Sequence, residues 1–199
     1  MPNLSVSRLL LAANMAVALL AAFAAGADSL AYAGGLMPLR LTLALGGDAP
    51  LLPAAATLFT HMFLHGGIAH LAFNMLILAA LGDRLEAVYG PGRMAALFLL
   101  SGLVAALAQW GWAPQSAVPV IGASGAISGL IGAQALLAGR SGRGPVGRAA
   151  ALLLAWTLIQ LLTALVMPEL NLAVPAHIGG FLGGLLLAWP LLPGAVRAR

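Results

Sequence analysis

Three polar clusters interrupt an otherwise apolar chain. His61, His65 and His70 lie in "THMFLHGGIAHLAFN" with Asn74 one helical turn past His70, Ser124 and Ser128 lie in "GASGAISG", and His177 lies in "AHIGGFLGG". A serine hydroxyl becomes nucleophilic when a positioned base takes its proton, and histidine, with an ordinary pKa of about 6.5, suits that task. The chemistry such a pair supports is acyl transfer, whose tetrahedral intermediate needs hydrogen-bond donors aimed at its oxyanion. The Asn74 amide, the His70 imidazole N–H and the unspent backbone N–H groups of a helix opening at Ser124 are the donor candidates. Asp83 and Glu86 stand at the far end of their segment and Glu169 in a loop, so no acid is placed to orient His177. A Ser124–His177 dyad is therefore expected rather than a triad.

Other chemistries fit less well. The chain has no cysteine, which excludes a thiolate nucleophile and a disulfide framework. His61, His65 and His70 could in principle face a zinc ion, yet no carboxylate or cysteine accompanies them and their spacing fits no zinc motif. No metal and no cofactor is expected, and His61 and His65 read as structural residues of the loop.

The elements that must position these residues are membrane helices. Of 199 residues 62% are hydrophobic and 7% charged, and the mean hydropathy is +1.03, whereas soluble domains carry about 25% charge. A crossing helix needs about 20 apolar residues, and that ruler finds six spans: 9–25, 68–81, 94–111, 124–138, 149–166 and 176–192. The expected fold is an all-α, polytopic six-helix bundle forming one domain over 1–199. The segment 27–67, including "LMPLRLTLAL", reads as a loop lying at the membrane interface.

Arginine placement orients the bundle, because short cytoplasmic loops collect positive charge. Arg8, Arg84, Arg93, Arg140, Arg143, Arg148, Arg197 and Arg199 fall on one side and Arg40 alone on the other. Both termini are then cytoplasmic. The net charge of +4 serves topology, and no nucleic-acid partner is expected. "Ala31-Tyr32-Ala33" imitates a signal-peptide cleavage site, but the apolar run before it exceeds a signal core, and cleavage would leave an odd number of spans.

The same frame gives a depth for each polar residue. Ser124 stands 16 residues before Arg140, and His70 and His177 stand 13 before Asp83 and Pro190. At about 1.5 Å per residue they lie roughly 24 and 20 Å above the cytoplasmic boundary, in one layer beneath the outer surface of a core about 30 Å thick. Small residues supply the means of contact. His177, Gly180 and Gly184 share one helix face, and the fourth span offers Ser124, Ser128 and Gly132 beside the pair Gly125 and Gly129. Packing those faces brings Ser124 towards His177. The four tryptophans, Trp110, Trp112, Trp156 and Trp189, read mostly as an interfacial belt.

"GASG" at the head of one helix, "AHIGGFLGG" in the last and "HGGIAHLAFN" at the head of the second resemble the rhomboid family of intramembrane serine proteases, over roughly residues 57–190. The resemblance implies that Ser124 is the nucleophile, His177 its base, and His70 and Asn74 oxyanion donors. Gly122, Gly125, Gly129, Gly180 and Gly184 then pack the site's helices, and Glu86 with Gly90 matches a pattern after the second span. It also implies membrane-protein substrates, a bilayer setting that is bacterial and plasma-membrane in type, and a site open to the extracytoplasmic side. Two positions depart from the family. A Trp-Arg pair of the first loop is replaced by "PAAATLFTH", and an aromatic one turn after the nucleophile is replaced by Ser128. Two rival readings stand beside this one: a catalytically inactive relative that binds transmembrane segments, and a small transporter, which would need polar residues through the full membrane depth.

Overall fold

Apolar residues without helix breakers make long helices, and glycine or proline ends them. In the computed structural model, which describes residues 5–25, 27–139, 145–166 and 173–194, the elements are α1 (Val6–Leu20, continued by a π-helical turn, Ala21–Ala25), α2 (Ala27–Gly34), α3 (Pro38–Gly46), α4 (Leu51–Thr60, continued by a 3₁₀ turn, His61–Phe63), α5 (Ile68–Tyr89), α6 (Pro91–Trp112), α7 (Ser124–Gly139), α8 (Pro145–Val166) and α9 (Val174–Leu191). Among the described residues no β-strand forms beyond one isolated bridge between Leu36 and Val120.

Among the described residues four helices, α1 with its π turn, α5, α6 and α9, are long and apolar enough to cross a membrane. This is a polytopic, helical, integral membrane protein. α8 has 22 residues, while α7, with 16, is shorter than the usual crossing length. Arg140, Arg143, Glu169, Arg197 and Arg199 lie outside the described residues, as does the side chain of Arg148.

The second span runs two turns beyond the expected 81, through Asp83, Arg84 and Glu86, to Tyr89. The physical reason lies about 80 residues away in sequence. Glu86 accepts hydrogen bonds from the backbone N–H of Val6 and of Ser7, each at 2.9 Å, and from the Ser5 hydroxyl at 2.7 Å. Its carboxylate thus caps the first turn of α1, where N–H groups lack intrahelical partners. Ser7 donates to Asp83 at 2.8 Å, and a Cβ on Gly82 would stand 2.6 Å from that of Ser7. The charges are thus used in joining α1 to α5. Glu86→Ala is expected to destabilise the fold by about 2 kcal/mol, since hydrogen bonds to a charged group contribute on that order. Thermal unfolding in detergent reads this as a lowered Tm, and an unchanged Tm would contradict the capping role.

The segment 27–67 is a run of three short helices and a 3₁₀ turn rather than a loop. At 8 to 10 residues each, these helices are roughly 12–15 Å long, too short to cross. They fold over the end of α6, where Leu36, Leu41, Ala44 and Ala54 bury a small core with Ala106. Trp110 Nε1 donates to Thr42 Oγ1 at 2.9 Å, and that hydroxyl donates to the Pro114 carbonyl at 2.8 Å. Arg40 donates to the carbonyls of Tyr32 and Ala33. These bonds anchor the first-loop region in the absence of a Trp-Arg pair.

Between α5 and α6 the chain reverses on one residue, Gly90, whose φ of 77° suits glycine. Pro91 then opens α6, the position a proline tolerates. The main core lies between α5, α6, α7 and α9, around Leu78, Leu85, Tyr89, Met94, Leu97, Phe98, Ile127 and Leu130.

Candidate active site

α7 opens on Ser124, and the segment leading to it is held by backbone. Leu36 and Val120 exchange N–H to carbonyl bonds at 3.0 and 2.8 Å, Leu39 N–H donates to Ser116 at 2.9 Å, and Gly122 N–H donates to His61 at 2.9 Å. The entry into the helix is thereby tied to the first-loop helices. The first turn of α7 is closed by Ile127 N–H donating to the Ala123 carbonyl at 2.9 Å. The amides ahead of Ile127 have no intrahelical acceptor.

His177 sits in the first turn of α9. Its Nε2 lies 2.7 Å from Ser124 Oγ, within hydrogen-bond distance, and the serine hydroxyl donates when the neutral ring carries its proton on the other nitrogen, Nδ1. That nitrogen is buried and has no hydrogen-bond partner among the described residues, and the whole residue is 4% exposed.

His70 and Asn74, one turn apart on α5, face the same place. Gly66 N–H donates to His70 Nδ1 at 3.4 Å, which leaves the proton of a neutral ring on Nε2. A Cβ on Gly122 would stand 2.7 Å from that Nε2 and 3.5 Å from Ser124 Oγ. His70 Nε2–H, the Gly122 backbone and the serine oxygen therefore converge. Gly122 adopts φ 123°, which a side chain would resist, and it packs on an imidazole rather than on a helix. Asn74 is buried. Its Nδ2 donates to the His70 carbonyl at 2.9 Å, and the amide has a second N–H to offer the cavity. These four side chains, with Trp156 and Gln160 of α8, line a cavity of about 80 Å³, room for several waters.

The other two histidines part company. His61 is buried with Nδ1–H donating to the Thr57 carbonyl at 2.9 Å, a structural bond within its own turn. His65 is also buried, and its ring stands edge-on to His70 with centroids 5.1 Å apart. Burial, and then the neighbouring His70, push the His65 imidazole down to about 4, so it adds no charge beside His70 at neutral pH. Among the described residues no three His, Asp or Glu side chains form a metal cage.

Glycine sets the distance between α7 and α9. A Cβ on Gly180 would collide with the carbonyl of Gly125, one on Gly184 with the carbonyl of Gly129, and one on Gly132 with the carbonyl of Phe181. Backbone meets backbone at these three points of the contact. Ser128 lies off this seam, turned to α8. It donates to the Ser124 carbonyl at 2.8 Å and accepts from Trp156 Nε1 at 3.2 Å, and the Trp156 ring meets His177 edge-on at 6.5 Å.

A family model described as the Rhomboid domain matches residues 53–194. The chain belongs to the rhomboid family. Among its rhomboid relatives are RHOMBOID-like protein 5 of Arabidopsis thaliana, 34% identical over 148 residues, which are 68% of this chain and 43% of that one. Rhomboid protease GluP of Bacillus subtilis is 45% identical over 76 residues, 38% of this chain and 14% of GluP. Rhomboid protease AarA of Providencia stuartii is 31% identical over 158 residues, 68% of this chain and 56% of AarA. The chain thus spans less than two thirds of the length of each of these rhomboid relatives.

Two residues of this rhomboid site escaped the sequence reading. Trp156 lines the cavity instead of belonging to an interfacial belt. Gln160, 8% exposed, carried a signal that could have been read: it is a lone amide in an apolar span, where polar groups are costly and mark function.

Proposed function

We propose that this rhomboid protein is an intramembrane serine endopeptidase that hydrolyses peptide bonds in or beside the transmembrane segments of membrane proteins. The observation that carries the reading is the 2.7 Å contact between Ser124 Oγ and a buried imidazole. Ser124 attacks the scissile carbonyl while His177 Nε2 takes its proton. His177 then returns that proton to the leaving amine, and a water from the cavity repeats the cycle on the acyl-enzyme. His70 Nε2–H, the Asn74 amide and the first amides of α7 stabilise the oxyanion. Gly125, Gly129, Gly180 and Gly184 hold the two helices at reacting distance, and Gly122 gives His70 its place beside the nucleophile. The names of GluP and AarA as rhomboid proteases support the activity.

In this reading α1 and α5–α9 form six crossings of a single domain, both termini are cytoplasmic, and the site opens to the extracytoplasmic side of a bacterial plasma membrane. The excess of arginine on one side supports that orientation.

A substrate helix hides its carbonyls in i to i−4 hydrogen bonds, so cleavage requires local unwinding. Replacing an Ala-Ala pair near the cut site of a single-span substrate by Gly-Gly is expected to raise the cleavage rate by up to about 30-fold, since each glycine weakens a helix by about 1 kcal/mol relative to alanine. Detergent-purified protein with a fluorescent single-span substrate measures this. A rate indifferent to substrate helicity, or binding without any cleavage, would favour a non-catalytic binder of transmembrane segments.

A further inference from the structure

One hydrogen bond does not orient an imidazole. His177 is tied to Ser124 through Nε2 alone, and its Nδ1 has no partner among the described residues, so something else must hold the plane of the ring. The ring's aromatic neighbour is Trp156, edge-on with centroids 6.5 Å apart and planes at 63°, within the range of favourable tilted aromatic pairs. The indole is itself held. Trp156 Nε1 donates to Ser128 Oγ at 3.2 Å, and Ser128 donates to the Ser124 carbonyl at 2.8 Å. The contacts close a ring: Ser124 hydroxyl, His177, Trp156, Ser128, Ser124 backbone. On the same helix Leu154, Leu158 and Ile159 are more than half exposed, so Trp156 is a place where α8 turns inward.

We propose that Trp156 is a positioning residue for His177, and that Ser128 orients Trp156. The inference rests on the catalytic reading of Ser124 and His177 given above. Proton transfer from Oγ needs the Nε2 lone pair, which lies in the ring plane, to point at the hydroxyl. The indole blocks the tilt that would turn it away. Because Trp156 comes from a helix other than those of Ser124 and His177, the geometry of the dyad depends on how α8 seats against α7.

The experiment compares Trp156→Ala, Trp156→Phe, Ser128→Ala and the Trp156→Phe/Ser128→Ala double variant, in the full-length protein with the single-span substrate. Trp156→Ala is expected to lower kcat about 30-fold or more with KM within about threefold, because misorientation of a reacting group acts on the chemical step. Trp156→Phe keeps a ring against His177 and should recover most of that loss. Trp156→Phe and Ser128→Ala remove the same hydrogen bond, so the double variant should be no slower than the slower single one. An unchanged kcat in Trp156→Ala, a change in KM alone, or a phenylalanine no better than alanine would overturn the proposal.

A second readout requires no turnover. In protein labelled with ¹⁵N-histidine, the His177 Nε2 resonance of the wild type and of Trp156→Phe is expected at the position of a hydrogen-bonded acceptor. In Trp156→Ala it should shift towards a free ring, with the His61 resonance unmoved as the sign that the fold is intact. A His177 resonance that does not move in Trp156→Ala overturns the positioning role. A protein that shows this shift yet cleaves nothing would sink the catalytic reading and keep the structural one.

Discussion

Ser124→Ala and His177→Ala are each expected to reduce the cleavage of a membrane substrate by about 10⁴-fold or more, and the double variant to be no worse than either, as for residues that act as one unit. The Oγ to Nε2 distance of 2.7 Å is a direct hydrogen bond, so no water intervenes in the proton transfer. Alanine at 124 removes the nucleophile, while alanine at 177 leaves a hydroxyl without the imidazole that takes its proton. Either loss alone stops the covalent path, which is why the second costs nothing further. Initial rates for the four proteins in one detergent test this. Additive losses, or a single variant within tenfold of wild type, would mean that the two residues do not act together.

The next largest effect is expected at Gly184. A Cβ there would collide with the Gly129 carbonyl, and a side chain meets backbone on an element that is itself packed on α6. Neither partner can rotate aside. Gly184→Val must push α9 from α7, and a displacement of about 1 Å at reacting groups costs on the order of 10²-fold in rate. Overpacking also costs about 1–3 kcal/mol of stability. The expected result is therefore a cleavage rate at least about 100-fold lower together with a lower Tm. Gly111→Ala is the control, because a Cβ there meets nothing within 4 Å. Equal activity in Gly184→Val and Gly111→Ala would show that the close approach of α7 and α9 does not set the dyad.

What could be read in advance follows from the physics of each feature. Polar residues in an apolar chain stand out because the bilayer makes them costly. Helix rise turns their positions into depths, and small-residue faces say which helices can touch. Those three arguments pair Ser124 with His177 and set His70 and Asn74 beside them. They fail where long-range contacts change the rules. Asp83 and Glu86 looked like the end of a span, yet Ser5, Ser7 and Arg8 take up their charge and the helix runs on to Tyr89. The bridge between Leu36 and Val120 that anchors the approach to Ser124 is made of backbone, which no side-chain pattern reveals. Trp156 was illegible for a different reason: a tryptophan in a lipid-facing helix looks like any interfacial aromatic until α8 is seen to turn it onto His177.

The account's central claim is that Ser124 is a nucleophile made reactive by His177, and a fluorophosphonate probe tests it most directly. The wild-type protein is expected to take up one label per chain, mapped to Ser124 by peptide mass, with labelling lost in Ser124→Ala and strongly reduced in His177→Ala. Labelling that persists undiminished in Ser124→Ala would contradict it.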